Sequence, residues 1–239
     1  MRELYEKLRQ TLRDKVQRHN LGEEKLSISC RDLSAEEAIG APDDTDYPII
    51  KGKERMMEAD FAGSRGQAFS DEFGSRHYQV RELLDLPLDS NRNRADFIAA
   101  FNAIFRHLGL CGHTIHCRDK EPPQCAAEAL KKIGSGRKVL LVGLQPRFLE
   151  FVSQENEVRV VDLDAENIGR KKYGVLIEPP ENTEAAIQWC DLIFATGSTF
   201  VNGTVVDFMG KGKPLLLYGV SSAAPAGILG LETFCFCGH

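Results

Sequence analysis

The sequence predicts two units in series, an α+β unit over residues 1–119 and an α/β unit with a mostly parallel sheet over residues 120–239. Three observations predict it. Alternating strand patterns followed by amphipathic helices occupy the first half, while strand and helix patterns alternate through the second. A chain of 239 residues with 42% hydrophobic content also has enough apolar material for two modest cores.

Leu4, Leu8, Leu12 and Val16 recur every four residues among Lys, Arg and Glu, the stripe of an amphipathic helix, and Asn20-Leu21-Gly22 supplies a stop. Residues 25–33 alternate, with Leu26, Ile28 and Cys30 on one face and Ser27 and Ser29 on the other, the period of a half-buried strand. The acidic, proline-bearing residues 35–48 read as a surface excursion. Residues 55–61 and 67–70 flank Ala62-Gly63-Ser64-Arg65-Gly66 and read as a hairpin. Two helices should follow. The clearer covers residues 94–108, where Phe97, Ile98, Phe101, Ile104, Phe105 and Leu108 make an apolar face and Asn91 or Asn93 caps it. The first unit is therefore a meander of three strands followed by helices.

Residues 109–123 form a polar connector. Strands are then expected at 138–143, 158–163, 173–177, 191–195 and 214–218, and helices at 126–132, 147–152 and 183–189.

The net charge of −5 is mild and spread out, and no basic stripe or zinc-finger helix is present, which argues against a nucleic-acid partner. The longest apolar runs, residues 139–142 and 214–217, are too short to span a bilayer, and the charged start lacks a signal-peptide core. A soluble, cytoplasmic protein is expected, with homo-oligomerisation left open. The seven cysteines are then expected to be thiols.

The most informative stretch is residues 190–204. Leu192, Ile193, Phe194 and Ala195 form an unbroken apolar run, as in a parallel strand buried on both faces. Thr196, Ser198, Thr199, Asn202 and Thr204 then crowd hydroxyls and an amide at its carboxyl end, with Gly197 and Gly203 letting backbone amides come close. Capping of a following helix by Asn202 or Thr204 is the competing use of the same residues. Gly219, Ser221 and Ser222 follow the next buried strand in the same way, a chemistry suited to binding and without the partners of a hydrolase triad. Gly143 after residues 139–142, with Asp162 at the end of the next strand, has the layout of a nucleotide-binding βαβ unit. The Gly-Leu-Gln-Pro loop lacks the further glycines that pyrophosphate needs, so a Rossmann-like scaffold with no nucleotide is the leading alternative, and an adenosyl group or a small ring suits Gly143 better than a dinucleotide.

A second constellation is rich in soft-metal donors. His113, His116 and Cys117 lie in the connector beside Cys111, Cys125 follows at the opening of the next helix, and Cys235, Cys237 and His239 end the chain. Thiolate and imidazole are ligands of transition metals, but the spacing matches no standard zinc module, and ordinary packing of the cysteines competes with ligation. From the first unit, Asp60, Arg65, Gln67 and Asn102 are candidates to face a cleft between the units, with a solvated face or a buried structural hydrogen bond as the alternative.

Thr196-Gly197-Ser198-Thr199, Val201-Asn202-Gly203-Thr204 and Tyr218-Gly219-Val220-Ser221-Ser222-Ala223-Ala224-Pro225 resemble the C-terminal half of an uncharacterised family labelled putative heavy-metal chelation. Asn102-Ala103 resembles the Asn-Ala that members carry on the corresponding helix. The resemblance covers most of the chain. It implies a domain like the N-terminal domain of enolase followed by a Rossmann-like domain, with a site in the cleft between them. Members often run on past the last strand, so any role of that tail is not transferred. The expectation is a cleft that binds a small polar ligand or a metal complex, with a transition metal held by the His/Cys tracts. An enzyme using an adenosyl or nucleotide cofactor and a thiol-based sensor or scaffold are the rivals, and nothing in the residues requires catalysis.

Overall fold

The computed structural model describes residues 1–21, 27–51 and 54–239, Ser27 by its backbone alone. The expected helix stop at Gly22 and the strand positions Lys25 and Leu26 lie outside the described residues. Helix α1 (Arg2–Arg18) buries Leu4, Tyr5, Leu8, Leu12 and Val16, the face its four-residue spacing requires. Strand β1 (Ser27–Leu33) follows and buries Ile28, Cys30 and Leu33.

The expected surface excursion is instead a folded segment. Helix α2 (Ala35–Ile39) is held by a capping box, in which Ser34 Oγ accepts from the Glu37 N–H and the Glu37 carboxylate accepts from the Ser34 N–H. It buries Ala38 and Ile39, and Tyr47 and Ile49 beyond it are buried with them. The Ser-x-x-Glu signal for this helix is present in the sequence.

β2 (Arg55–Phe61) and β3 (Ser64–Ser70) pair antiparallel around Ala62 and Gly63, whose φ values of 50° and 80° are those of a two-residue hairpin turn. The turn is shorter than expected because Ser64, Arg65 and Gly66 belong to β3. A fourth strand, β4 (Arg76–Gln79), extends the meander at the far side of β1. Its sequence hides it, since only Tyr78 of its four residues is buried. After α3 (Val80–Asp85) comes α4 (Asn91–His107), capped by Ser90, which accepts from the Asn93 N–H at 3.2 Å, rather than by Asn91 or Asn93. Gly66 is needed where β3 meets α4: a Cβ there would lie 2.3 Å from the Ala103 nitrogen. The first sheet has the order β3-β2-β1-β4.

Helix α5 (Glu121–Ile133) begins with prolines in its first turn, where their missing N–H groups cost nothing. There follow β5 (Lys138–Val142), α6 (Pro146–Val152), β6 (Glu157–Val161), β7 (Lys171–Lys172), β8 (Val175–Glu178), α7 (Thr183–Trp189), β9 (Leu192–Thr196), α8 (Thr199–Asn202), β10 (Leu215–Tyr218), α9 (Ala223–Leu229) and β11 (Glu232–Phe234). These strands form a sheet of order β11-β10-β9-β5-β6-β8-β7, parallel throughout except for the β7–β8 edge. The fold is thus α/β with mixed sheets, one of them largely parallel.

One apolar core joins the two sheets. Helix α4 packs on β2 and β3 with one side and on α8 and α9 with the other, so that Phe97, Phe101 and Phe105 share a cluster with Phe200, Val201 and Val205. A second cluster around Phe148, Phe194 and Tyr218 fills the opposite face of the parallel sheet. Among the described residues no helix is long and apolar enough to cross a membrane.

Candidate functional site

Strand β5 pairs with β6 on one side and β9 on the other, so the chain order reverses there. At such a switch point the loops leaving adjacent strands diverge and open a crevice at their carboxyl ends. Gly143, just after β5, has φ 81°, and a Cβ on it would come within 2.8 Å of Thr196 Cγ2. Asp162 fixes the neighbouring turn: its Oδ2 accepts from the Leu144 N–H at 2.5 Å and its Oδ1 from the Asp164 N–H at 2.6 Å. The buried Tyr218 hydroxyl lies 2.8 Å from the Gly143 carbonyl and 3.0 Å from that of Val142, tying β10 to the same turn.

The loops after β9 and β10 lie side by side. The Gly197 N–H donates to the Tyr218 carbonyl at 2.7 Å, and a Cβ on Gly197 would meet the Ser222 nitrogen at 2.6 Å, so only glycine allows the contact. Thr199 Oγ1 donates back to the Thr196 carbonyl, opening the single turn α8, which closes at Gly203 with φ 90°. Asn202 Oδ1 accepts from both the N–H and the hydroxyl of Thr204. After β10, Gly219 takes φ 83°, Ser222 Oγ donates to the Gly219 carbonyl, and Ser221 Oγ accepts from the Phe69 N–H of β3 at 3.0 Å. Thr199, Ser221 and Ser222 are therefore buried and committed to internal bonds, while Thr196, Ser198, Asn202 and Thr204 are half-buried.

Asn102 corrects an expectation. It is fully buried, its Nδ2 donates to the carbonyls of Gln67 and Val220 at 3.0 Å each, and its Oδ1 accepts from the Ala224 N–H at 2.9 Å. With these bonds made it holds β3, the β10 turn and α9 together and offers nothing to a ligand. Gln67 is likewise internal, donating to Glu58 and accepting from the His116 N–H. Asp60 caps the hairpin turn through the Gly63 N–H, and Arg65 pairs with Glu58.

The strand-end loops open on a cavity of about 680 Å³. One wall carries Gly143, Asp162, Thr196, Gly197, Ser198, Asn202 and Gly219, and the facing wall carries Tyr47, Glu54, Phe69 and Asp71. Glu54 carries no signal in the sequence, where it stands among the charged residues Lys51-Gly-Lys-Glu-Arg. Burial, then the carboxylates of Asp162, Asp71 and Asp164, push its carboxyl up to about 7. The Tyr47 hydroxyl is buried with no hydrogen-bond partner. Next to it Arg147, 8% exposed, gathers Asp44 at 3.2 Å, Asp46 at 3.0 Å and Glu150 at 2.5 Å, while Lys172 reaches Asp46 at 2.5 Å. These pairs fasten residues 44–46 to α6.

The two Cys/His tracts meet. Ile115 and His239 exchange backbone N–H···O bonds of 3.0 and 2.9 Å, and His113 Nδ1 sits 2.7 Å from the Gly238 carbonyl. The free thiol of Cys125 lies beside those of Cys117 and Cys237. These contacts and burial hold Cys125 well above the usual thiol range, and burial raises Cys235 to about 12 and Cys237 to about 11. Burial also keeps His116 below the ordinary imidazole range. His116, Cys117, Cys125 and Cys235 line the cavity, whereas His113 faces a separate, more open hollow and His239 pairs with Glu121 at 3.2 Å.

Residues 126–229 match the family described as "Putative heavy-metal chelation". Two solved structures of that family, both of unknown function, share the fold. One, from Desulfitobacterium hafniense DCB-2, superposes with a TM-score of 0.53 at 13% identity over 73% of this chain and 72% of its own. The other, from Pyrococcus horikoshii, gives 0.52 at 14% identity over 92% and 80%. No curated protein matches.

The family description invites a test of the thiol tract as a metal centre. Its donors are of the right chemistry for a soft cation, but among the described residues no three His, Cys, Asp or Glu side chains gather so as to hold a metal ion. The arrangement does not fit a resident metal. The expected set of His113, His116, Cys117, Cys125, Cys235, Cys237 and His239 is brought into one region yet not onto one point.

Proposed function

We propose that the protein binds a small polar ligand in the cavity at the strand ends. One observation carries the reading: the loops after β5, β6, β9 and β10 and a wall from the first sheet open on a single space of about 680 Å³, inside the range of small-molecule pockets. Thr196, Ser198, Asn202 and Thr204, with the backbone at Gly143, Gly197 and Gly219, supply donors and acceptors of both kinds. In this reading residues 1–119 are a domain like the N-terminal domain of enolase, residues 120–239 are Rossmann-like, and the protein is a cytoplasmic binder.

A thermal-shift screen of small polar compounds tests it. A ligand at a hundred times its Kd adds about 2.7 kcal/mol, a rise in Tm of roughly 5–10 °C for a chain of this size. Ser198→Leu, which places a side chain in the cavity, should remove the shift. A ligand that stabilises Ser198→Leu as strongly as the parent would sink the proposal.

A metal complex as cargo is a second reading, favoured by the contact of Cys117, Cys125 and Cys237 beside the same cavity. Untagged protein should then carry near-stoichiometric transition metal that Cys117→Ser loses; metal-free protein excludes it. The adenosyl reading would rest on Asp162, whose two oxygens accept the Leu144 and Asp164 N–H groups and keep further lone pairs for a ligand.

A further inference from the structure

We infer that the ligand of this cavity is an organic cation, an amine or amidinium with N–H donors on a partly apolar body, received by Glu54, Asp71 and Asp162. The inference rests on the binding role proposed above and names the chemical class that fills the site. The three carboxylates come from separate places: Glu54 just before β2, Asp71 just after β3 and Asp162 just after β6. All line the same cavity. Bringing like charges together in a half-enclosed space costs free energy that a cation recovers, since each unit charge is attracted to all three.

A second, independent observation also points to a ligand. Tyr47 is 6% exposed and lines this cavity, and its hydroxyl is buried with no hydrogen-bond partner. A buried hydroxyl without a hydrogen bond is unfavourable, and a ligand N–H donating to its oxygen offsets part of that penalty. The neighbouring Asp46 Oδ1 is buried and unpartnered as well.

The geometry separates an organic cation from a metal ion. A divalent ion needs its oxygens on one point at 2.0–2.6 Å, and no such group of three exists among the described residues. An extended cation can instead address carboxylates that stand apart. Apolar and aromatic side chains of the same lining, Phe69, Phe148, Leu144 and Ile49, suit its body.

The groups facing Glu54 are Asp71, Asp162 and Asp164, with the Tyr218 hydroxyl behind them. Asp71 is held by the Asn91 amide at 2.7 Å. Among the described residues the lysines lining the cavity are Lys51 and Lys211, and Lys211 pairs with Glu184 at 3.1 Å. Lys53 lies outside the described residues. Because Glu54 sits at about 7 in the free protein, it must lose its proton to meet a cation, so affinity rises with pH. The factor between pH 6 and pH 8 for one linked proton is about tenfold.

The test uses the full chain and three isosteric probes, benzamidine, benzamide and benzoate, with agmatine as a second cation and Mn²⁺ as the metal, each titrated calorimetrically at pH 6 and pH 8. Benzamidine and agmatine should bind about tenfold more tightly at pH 8, releasing close to one proton per cation when two buffers of different ionisation enthalpy are compared at pH 6. Glu54→Gln should bind them at least fivefold more weakly at pH 8 and with no pH dependence; Tyr47→Phe should lose a few-fold. Proton release by the unmodified protein stands even if a variant folds poorly. Binding of benzamide or benzoate in preference keeps the cavity as a ligand site and overturns the cation. Binding of Mn²⁺ without either organic cation overturns it in favour of a metal. Failure of every probe, together with an empty thermal-shift screen, overturns both this inference and the proposed function.

Discussion

Replacing Asn102 with alanine should be the most damaging single change away from the cavity. Three bonds are lost at once: those to the Gln67 and Val220 carbonyls and that from the Ala224 N–H. All three partners are then buried without water. At about 1–3 kcal/mol for each buried group left unpaired, less whatever the backbone recovers by shifting, the loss comes to roughly 3–5 kcal/mol. For a chain of this length that is a fall in Tm of about 6–20 °C. Chemical unfolding in urea, followed by circular dichroism, measures it directly as a lowered midpoint. Gln10→Ala, which removes an exposed bond on α1, serves as the control and should stay within about 0.5 kcal/mol of the parent. If Asn102→Ala behaves like that control, the amide is not what joins β3, the β10 turn and α9, and the account of the seam is wrong.

Gly197→Ala should cost about 1–3 kcal/mol by pushing Ser222 away, read as a lower Tm; an unchanged Tm would show that the two loops are not in contact. Glu54 has a folded pKa raised to about 7 above its ordinary value near 4.5, so its neutral form favours folding fully below about pH 4.5 and that contribution is lost as pH rises through 7. Glu54→Gln should accordingly raise the unfolding free energy measured in urea at pH 8 by about 1–3 kcal/mol, with a higher midpoint, and leave both unchanged at pH 4; equal effects at both pH values would refute the raised carboxyl. His116 is displaced the other way, so stability present above its unfolded pKa near 6.5 is lost as pH falls below it, and His116→Phe should flatten that acid-side slope in urea melts between pH 7 and pH 5. Arg147→Ala strips Asp44 of its cation and Asp46 of one of two, Lys172 remaining; at about 1–2 kcal/mol for pairs whose carboxylates are partly solvated, it should speed limited proteolysis within residues 40–48 without changing cleavage elsewhere.

Much of the scaffold could be read locally. The apolar runs of β5, β9 and β10 and the glycine and hydroxyl residues after them identify buried strands and polar turns because both signals lie within a few consecutive positions. The stripe of α1 and the phenylalanines of α4 are legible for the same reason. β4 escaped because an edge strand with one buried residue carries almost no alternation, and α2 because its capping box sits inside a stretch whose prolines and acids suggest a loop.

The site divides along the same line. Sequence alone marked Thr196, Ser198, Asn202, Gly143 and Gly219 as strand-end groups and the two Cys/His tracts as unusual, since residue type and spacing suffice for that. Only the tertiary structure turned Asn102 from a candidate contact into a buried fastener, seated Glu54 against Asp71 and Asp162, left the Tyr47 hydroxyl unpartnered beside the cavity, and drew the chain's end to Cys125. Those outcomes depend on which distant segments share a dielectric environment and which hydrogen bonds are already made, quantities that come into being when the chain packs and that no local run of residues contains.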